Sequence, residues 1–225
     1  MGNIEPFIKL FSDMTPEEIE RHDIEVLAQI AAQEKREADE RYRKSGVPER
    51  YWKETLDTYK TESEMQLNAH KCAIAYTTEI QRGEFKSLVM IGNAGTGKTH
   101  LGCGILREYG WGLYRTAPDI VEELRRAKSF TADETEAEII KRYGHAALLI
   151  IDEIGRGIAA TDEKYMLYQV LNARYNTRKP TVLISNHTKA DFFKYIGVAA
   201  SDRLVESADL LEMNGESYRR ELRAK

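Results

Sequence analysis

The sequence predicts an α/β fold, a parallel sheet flanked by helices, and three observations carry that prediction. Short apolar runs at Ser87–Ile91, 146–151 and Thr181–Ser185 alternate with segments of helix length. The run Ala146-Ala147-Leu148-Leu149-Ile150-Ile151 is unbroken, as a strand covered on both faces requires. The first run leads into Gly92-Asn93-Ala94-Gly95-Thr96-Gly97-Lys98-Thr99, and a helix-like segment, 100–109, follows. Strand, Gly-rich loop, helix is the setting in which G-x-x-x-x-G-K-[ST] cradles phosphate.

In chain order, residues 1–13 carry an apolar cluster, Ile4, Phe7, Ile8, Leu10 and Phe11, that reads as a short packed helix or a partner-binding peptide. Thr15-Pro16-Glu17-Glu18 starts a helix: Thr15 caps, Pro16 suits the first position, and Glu18 completes a capping box. Ile19, Val26, Leu27 and Ile30 form one apolar face, with Ile24 near its edge. Residues 33–44 are polar nearly all round, either a solvated helix laced with ion pairs or an exposed arm. Ser45-Gly46 ends that helix and Val47-Pro48 favours extended chain, so the domain boundary is placed here. Residues 1–45 form a helical, partner-binding segment and charged arm, and 46–225 the main domain.

The main domain opens with an aromatic-rich stretch, 49–60, whose Tyr51, Trp52 and Tyr59 either pack in the core or wall a nucleotide base. A helix over 62–81 presents Met65, Ala69, Cys72, Ala73, Tyr76 and Ile80 on one face, and Gly83 closes it. A short strand is expected at 112–116, helices at 118–128, 131–143 and 162–178, and an apolar stretch without an assigned element at 196–205.

Composition narrows the function. The chain has 225 residues, 42% hydrophobic and 31% charged, enough for one sizeable core and an appendage. A net charge of −4 argues against a uniformly basic surface but permits a local basic groove. Cys72 and Cys103 fit no metal or redox spacing, and two reduced thiols suit a reducing compartment. No apolar run approaches the roughly 20 residues of a membrane helix. The acidic first 30 residues lack a secretion signal's apolar core, so a cytoplasmic protein is expected.

The candidate site follows from residue chemistry. In the loop, glycines let successive N–H groups converge on phosphate oxygens. Lys98 would neutralise the β- and γ-phosphates, and Thr99 would offer its hydroxyl to Mg²⁺. The alternative is a Gly-rich turn that binds nothing. Asp152-Glu153 end the apolar strand, where ligands of open α/β sheets sit. Asp152 would hold Mg²⁺ with Thr99, and Glu153 would polarise an attacking water; a plain helix cap is the competing role. Asn186 follows the last strand, as a phosphate contact or merely the start of a turn. Arg203 is an isolated cation in an apolar stretch, either a surface ion pair or an arginine reaching a neighbouring subunit's phosphates.

Taken in order, GNAGTGKTHL, LLIIDEIG, LISN, SDRL and SYRRE resemble the DnaC/IstB-type AAA+ ATPases over about residues 46–222. The segment Gly46-Val47-Pro48-Glu49-Arg50-Tyr51 also looks like that family's GIPxRF segment. The resemblance implies an AAA+ P-loop core without a full C-terminal lid, using ATP and Mg²⁺. It makes Gly92 to Thr99, with His100 beside them, the nucleotide-binding Walker A stretch, and Asp152 and Glu153 the Walker B pair. Asn186 becomes the first sensor, Arg203 an arginine finger acting in trans, and Arg219 the second sensor. It also implies oligomers that assemble on DNA, a replicative hexameric helicase as partner of the N-terminal segment, and a bacterial or phage setting. An insert at 118–143 would then touch single-stranded DNA through Arg125, Arg126, Lys128 and Phe130, although the basic run taken alone reads first as a solvated helix face. The family's cysteine-rich N-terminal metal site has no counterpart here. The expected function is a helicase loader; a transposition helper on duplex DNA, a nucleotide-gated adaptor and, less well matched, a small-molecule kinase are the alternatives.

Overall fold

The computed structural model describes residues 15–129, 131–156 and 161–218. The apolar cluster of residues 1–13, Phe130 and Arg219 lie outside the described residues, as does the side chain of Ile19. Two compact units divide between Arg41 and Tyr42, a few residues before the boundary expected at 45/46. No helix among the described residues is long and apolar enough to cross a membrane.

Helix α1, Pro16–Lys44, provides the described part of the first unit and runs into the second. Three of its apolar residues are not covered: Ile24, Leu27 and Ile30 are 60%, 64% and 49% exposed. At spacings of three they share one face. The second unit begins with Tyr42, whose buried hydroxyl donates to the carbonyls of Tyr51 and Cys103. After a 3₁₀ turn, Glu49–Tyr51, comes α2, Glu64–Gln81, capped by a reciprocal Ser63–Gln66 capping box.

The α/β core then reads β1 (Ser87–Ile91), α3 (Lys98–Tyr109), β2 (Leu113–Thr116), α4 (Ala117–Arg126), α5 (Glu136–His145), β3 (Leu149–Ile154), α6 (Thr161–Asn176), β4 (Thr181–Ser185), α7 (Lys189–Ile196), α8 (Val198–Ser207) and β5 (Ala208–Glu212). The strands form one parallel sheet in the order β2-β3-β4-β1-β5. Side chains alternate across it with period two. Leu88, Met90, Ile150 and Ile184 join one core with α2 and α3, while Val89, Ile91, Ile151 and Leu183 join another with α4 to α8. Both faces are covered, as the unbroken apolar runs require.

Several elements differ from expectation. The helix after the Gly-rich loop starts at Lys98, within the motif. Helix α4 starts at Ala117 because Thr116 and Asp119 form a capping box; Thr135 and Glu138 likewise delay α5 to Glu136. Strand β3 starts three residues late, since Ala146 caps α5, and it carries Asp152 and Glu153 near its end, running one residue further to Ile154. The unassigned stretch 196–205 turns at Gly197 between α7 and α8. Strand β5, Ala-Asp-Leu-Leu-Glu, has no β-branched residue and carries two charges. It is a strand because β1 offers it an open edge, a tertiary fact.

One buried cation ties this core together. Arg174 on α6 is 1% exposed, and its guanidinium donates to Thr181 Oγ1 at 2.7 Å, to the Ala146 carbonyl at 3.0 Å, and to the carbonyls of Tyr143 and Pro180. It thereby satisfies acceptors from the end of α5 and the start of β4. Burial pulls its pKa down to about 9, and the four acceptors hold the charged form. Replacing Arg174 by Leu leaves those carbonyls buried and unpaired and should cost about 3 kcal/mol. Urea denaturation should show it as a lower midpoint at unchanged slope.

Candidate functional site

The Gly-rich loop is held from several directions. Gly92 N–H donates to the His187 carbonyl at 3.2 Å, and Asn93 N–H to the Met213 carbonyl at 3.1 Å. Tyr59 hydroxyl donates to the Thr96 carbonyl at 3.0 Å, and Tyr218 N–H to the Gly95 carbonyl at 3.0 Å. Two glycines are sterically required. At Gly92, φ is 117° and a Cβ would lie 2.6 Å from the Met213 carbonyl oxygen; at Gly97, φ is 94° and a Cβ would lie 2.5 Å from the Tyr59 ring. Burial pushes the Tyr59 phenol up to about 12, so its hydroxyl stays a donor at neutral pH.

Lys98, at the first turn of α3, is buried, and its ammonium donates to the carbonyls of Gly92 at 2.9 Å and Asn93 at 2.7 Å. The neighbouring Thr99 hydroxyl donates to Asp152 Oδ2 at 2.7 Å. The same oxygen accepts from the Tyr114 hydroxyl at 2.7 Å, and Oδ1 accepts from Glu153 N–H at 2.6 Å. Burial, and then the charge of Asp152, push the Tyr114 phenol far above its ordinary value. Glu153 sits at φ 58°, a left-handed conformation costly for a non-glycine residue, and its carboxylate pairs with Arg156.

Lys98, Thr99, Asp152, Glu153 and Arg156 line a cavity of about 600 Å³. It contains residues 94–100, Asp152, Glu153 and Asn186, so the structure gathers most of the expected site. His100 lines it while fastened to the 54–58 turn, with Nε2 at 2.8 Å from the Thr55 carbonyl and Nδ1 at 3.1 Å from Glu54. Tyr51 and Tyr59 also line it. Trp52 does not; its indole N–H donates to the Val47 carbonyl at 3.0 Å and its ring packs against the core.

Other expected residues lie elsewhere. Arg203 is absent from the cavity lining; it stacks over Tyr168 and Tyr175 at 5.4 and 5.5 Å and donates to the Ala199 carbonyl at 2.7 Å. Arg125, Arg126 and Lys128 are exposed at or just past the end of α4, where Arg126 pairs with Glu122. Sequence reasoning missed Tyr114, Arg50, Lys60, Arg156 and Tyr218. Arg156 was findable three residues beyond Glu153, but Tyr114 reaches Asp152 only through the β2–β3 register.

The residues fit a magnesium–nucleoside triphosphate. Gly92 and Gly97 keep the loop open where a Cβ would clash, Lys98 supplies the cation, and Thr99 beside Asp152 supplies a hard oxygen pair for Mg²⁺. The loop after β1, the acids on β3 and the order β2-β3-β4-β1-β5 define a P-loop ATPase domain of the AAA+ class. The family described as IstB-like ATP binding protein matches residues 17–225, and the chain belongs to it. The replicative helicase loader DnaC of Escherichia coli K12 is 27% identical over 186 residues, covering 79% of this chain and 74% of that protein. The DnaC of Buchnera aphidicola subsp. Schizaphis graminum is 29% identical over 185 residues, covering 80% and 75%. A putative insertion sequence ATP-binding protein of Sinorhizobium fredii is 30% identical over 143 residues, covering 60% of this chain and 47% of that protein. In fold, the chain is similar to the crystal structure of the DnaC helicase loader, with TM-score 0.67, 23% identity, and coverage of 74% of this chain and 100% of that one. It is similar also to AMPPCP-bound DnaA of Aquifex aeolicus, with TM-score 0.63, 18% identity, and coverage of 78% and 54%.

Substitution of Gly97 by Ala should reduce ATP affinity at least about tenfold, because the added methyl meets Tyr59 in a backbone conformation that L-residues avoid. Titration with a fluorescent ATP analogue reads this directly; unchanged affinity would mean that the loop does not hold phosphate in this conformation.

Proposed function

We propose that this chain is an ATP-dependent replicative helicase loader that assembles on single-stranded DNA and hydrolyses ATP to deposit or release a hexameric helicase. The observation that carries this reading is the length of the similarity to the DnaC loaders, about four-fifths of the chain. In this reading Lys98 neutralises the β- and γ-phosphates, and Thr99 and Asp152 hold Mg²⁺, which supplies charge neutralisation. Glu153, released from Arg156, polarises the attacking water, and Asn186 contacts the γ-phosphate or that water. Arg203 completes the charge in the neighbouring subunit's site, consistent with its position outside its own cavity, and Arg219 acts as the second sensor. The segment 1–45 grips the helicase, and the exposed Ile24, Leu27 and Ile30 are apolar side chains it offers for that contact. Arg125, Arg126, Lys128 and Phe130 contact DNA. The protein works in the cytoplasm of a bacterium or a phage-infected host.

A second reading, favoured by the description of the family that matches, is a transposition helper acting on double-stranded DNA. Binding to single- and double-stranded oligonucleotides at matched salt separates the two, and preference for the duplex would overturn the loader reading.

The trans role of Arg203 predicts weak turnover in dilute protein that rises with DNA or partner. An arginine in that role is worth roughly 10³ to 10⁵ in rate. In the Arg203→Ala variant, DNA-stimulated hydrolysis should therefore fall to the dilute background; wild-type turnover in the stimulated assembly would remove Arg203 from the mechanism. Glu153→Gln should abolish turnover and cellular function while sparing ATP binding. Retained function in cells would instead identify an adaptor that needs only bound nucleotide.

A further inference from the structure

The carboxylate of Asp152 is 5% exposed and takes three protein hydrogen bonds. Two are local or follow from the nucleotide loop: Glu153 N–H on Oδ1 and the Thr99 hydroxyl on Oδ2. The third comes from Tyr114, 38 residues away on the edge strand β2. The parallel register sets Tyr114 opposite Ile150 and Thr116 opposite Asp152. Tyr114 and Asp152 therefore point to the same face of the sheet, one step apart along the diagonal. The long Tyr114 side chain spans that diagonal and brings its hydroxyl to 2.7 Å from Asp152 Oδ2. The ring is buried in the core shared with α2 and α3, so the hydroxyl is fixed from behind.

We propose that Tyr114 is a positioning residue for the divalent cation: its hydroxyl holds the Asp152 carboxylate in the orientation that also meets Thr99. The proposal rests on the magnesium–ATP reading of the site. A buried carboxylate with fewer fixed donors can rotate away or draw its partners toward itself, and either weakens a cation site. Partners of this kind, one shell out from the metal, are worth roughly ten- to a hundredfold in metal affinity.

The test compares full-length wild type with Tyr114→Phe, which keeps the ring and deletes only the donor. Binding of a fluorescent ATP analogue is measured in EDTA and across a Mg²⁺ titration. The expected result is unchanged affinity in EDTA and a half-saturating Mg²⁺ concentration raised by roughly ten- to a hundredfold. Thermal midpoints with ATP, with and without Mg²⁺, give a second readout, because the Mg²⁺-dependent increment is taken within each protein and survives a general loss of stability. That increment should shrink in Tyr114→Phe, and in an Asp152→Asn background the tyrosine substitution should add nothing further. Identical Mg²⁺ titrations, or an equal loss of affinity with and without Mg²⁺, would overturn the proposal and leave the ATP site standing. Failure of the wild type to bind the nucleotide would overturn the ATPase reading and the proposal with it.

Discussion

Two oppositely charged groups, Lys98 and Asp152, are buried together at the carboxyl edge of the sheet, and the surrounding structure is arranged to make that tolerable. An isolated buried ion is costly, so each must find partners in the protein. Lys98 finds the carbonyls of Gly92 and Asn93, and Asp152 finds Thr99, Tyr114 and the Glu153 N–H. Those partners are useful only if they cannot drift. The loop is therefore bound by His187, Met213, Tyr59 and Tyr218, residues drawn from before and after it in sequence. The site's rigidity belongs to the tertiary fold and only partly to the motif.

This explains the role of the short fifth strand. In register with β1, β5 brings the chain back alongside the loop, so that Met213 N–H meets the Ile91 carbonyl at 2.8 Å and its own carbonyl receives Asn93. Gly215 then accepts from the Asn93 side chain at 3.2 Å. A strand of low intrinsic propensity is held in place because β1 needs a partner on that side, and its continuation fastens the phosphate loop.

The parts of this arrangement visible in the sequence were those with local causes. The loop 92–99 announced itself by residue type, and Ser87–Ile91 and Thr181–Ser185 by unbroken hydrophobicity; both strands occur at those boundaries. Helix starts were misplaced where capping boxes at Thr116 and Thr135 overrode periodicity, although the Thr-x-x-Asp and Thr-x-x-Glu spacings were there to read. Strand β5 and Tyr114 were not legible at all. The first depends on an open sheet edge and the second on cross-strand register, and neither is written in a window of neighbouring residues. The pairing of Glu153 with Arg156 lay between these cases: the spacing was visible, but the left-handed turn at Glu153 was not.

Tyr114 is held at both its polar ends. Its side chain meets Asp152, while its backbone N–H donates to the Ser45 carbonyl at 2.9 Å. Arg115 reinforces the second contact, its guanidinium donating to the same carbonyl at 2.9 Å. Ser45 is the residue immediately after α1, and its own hydroxyl bonds back to the Tyr42 carbonyl at 2.6 Å. Ser45 and the Asp152 carboxylate at the centre of the site thus share one residue of an edge strand as a partner. An edge strand is paired on one side only, so what occupies its other side bears directly on its position. Here that occupant is Ser45, so Tyr114 is placed by β3 on one side and by the Ser45 carbonyl on the other, and through its hydroxyl the same residue bears on Asp152.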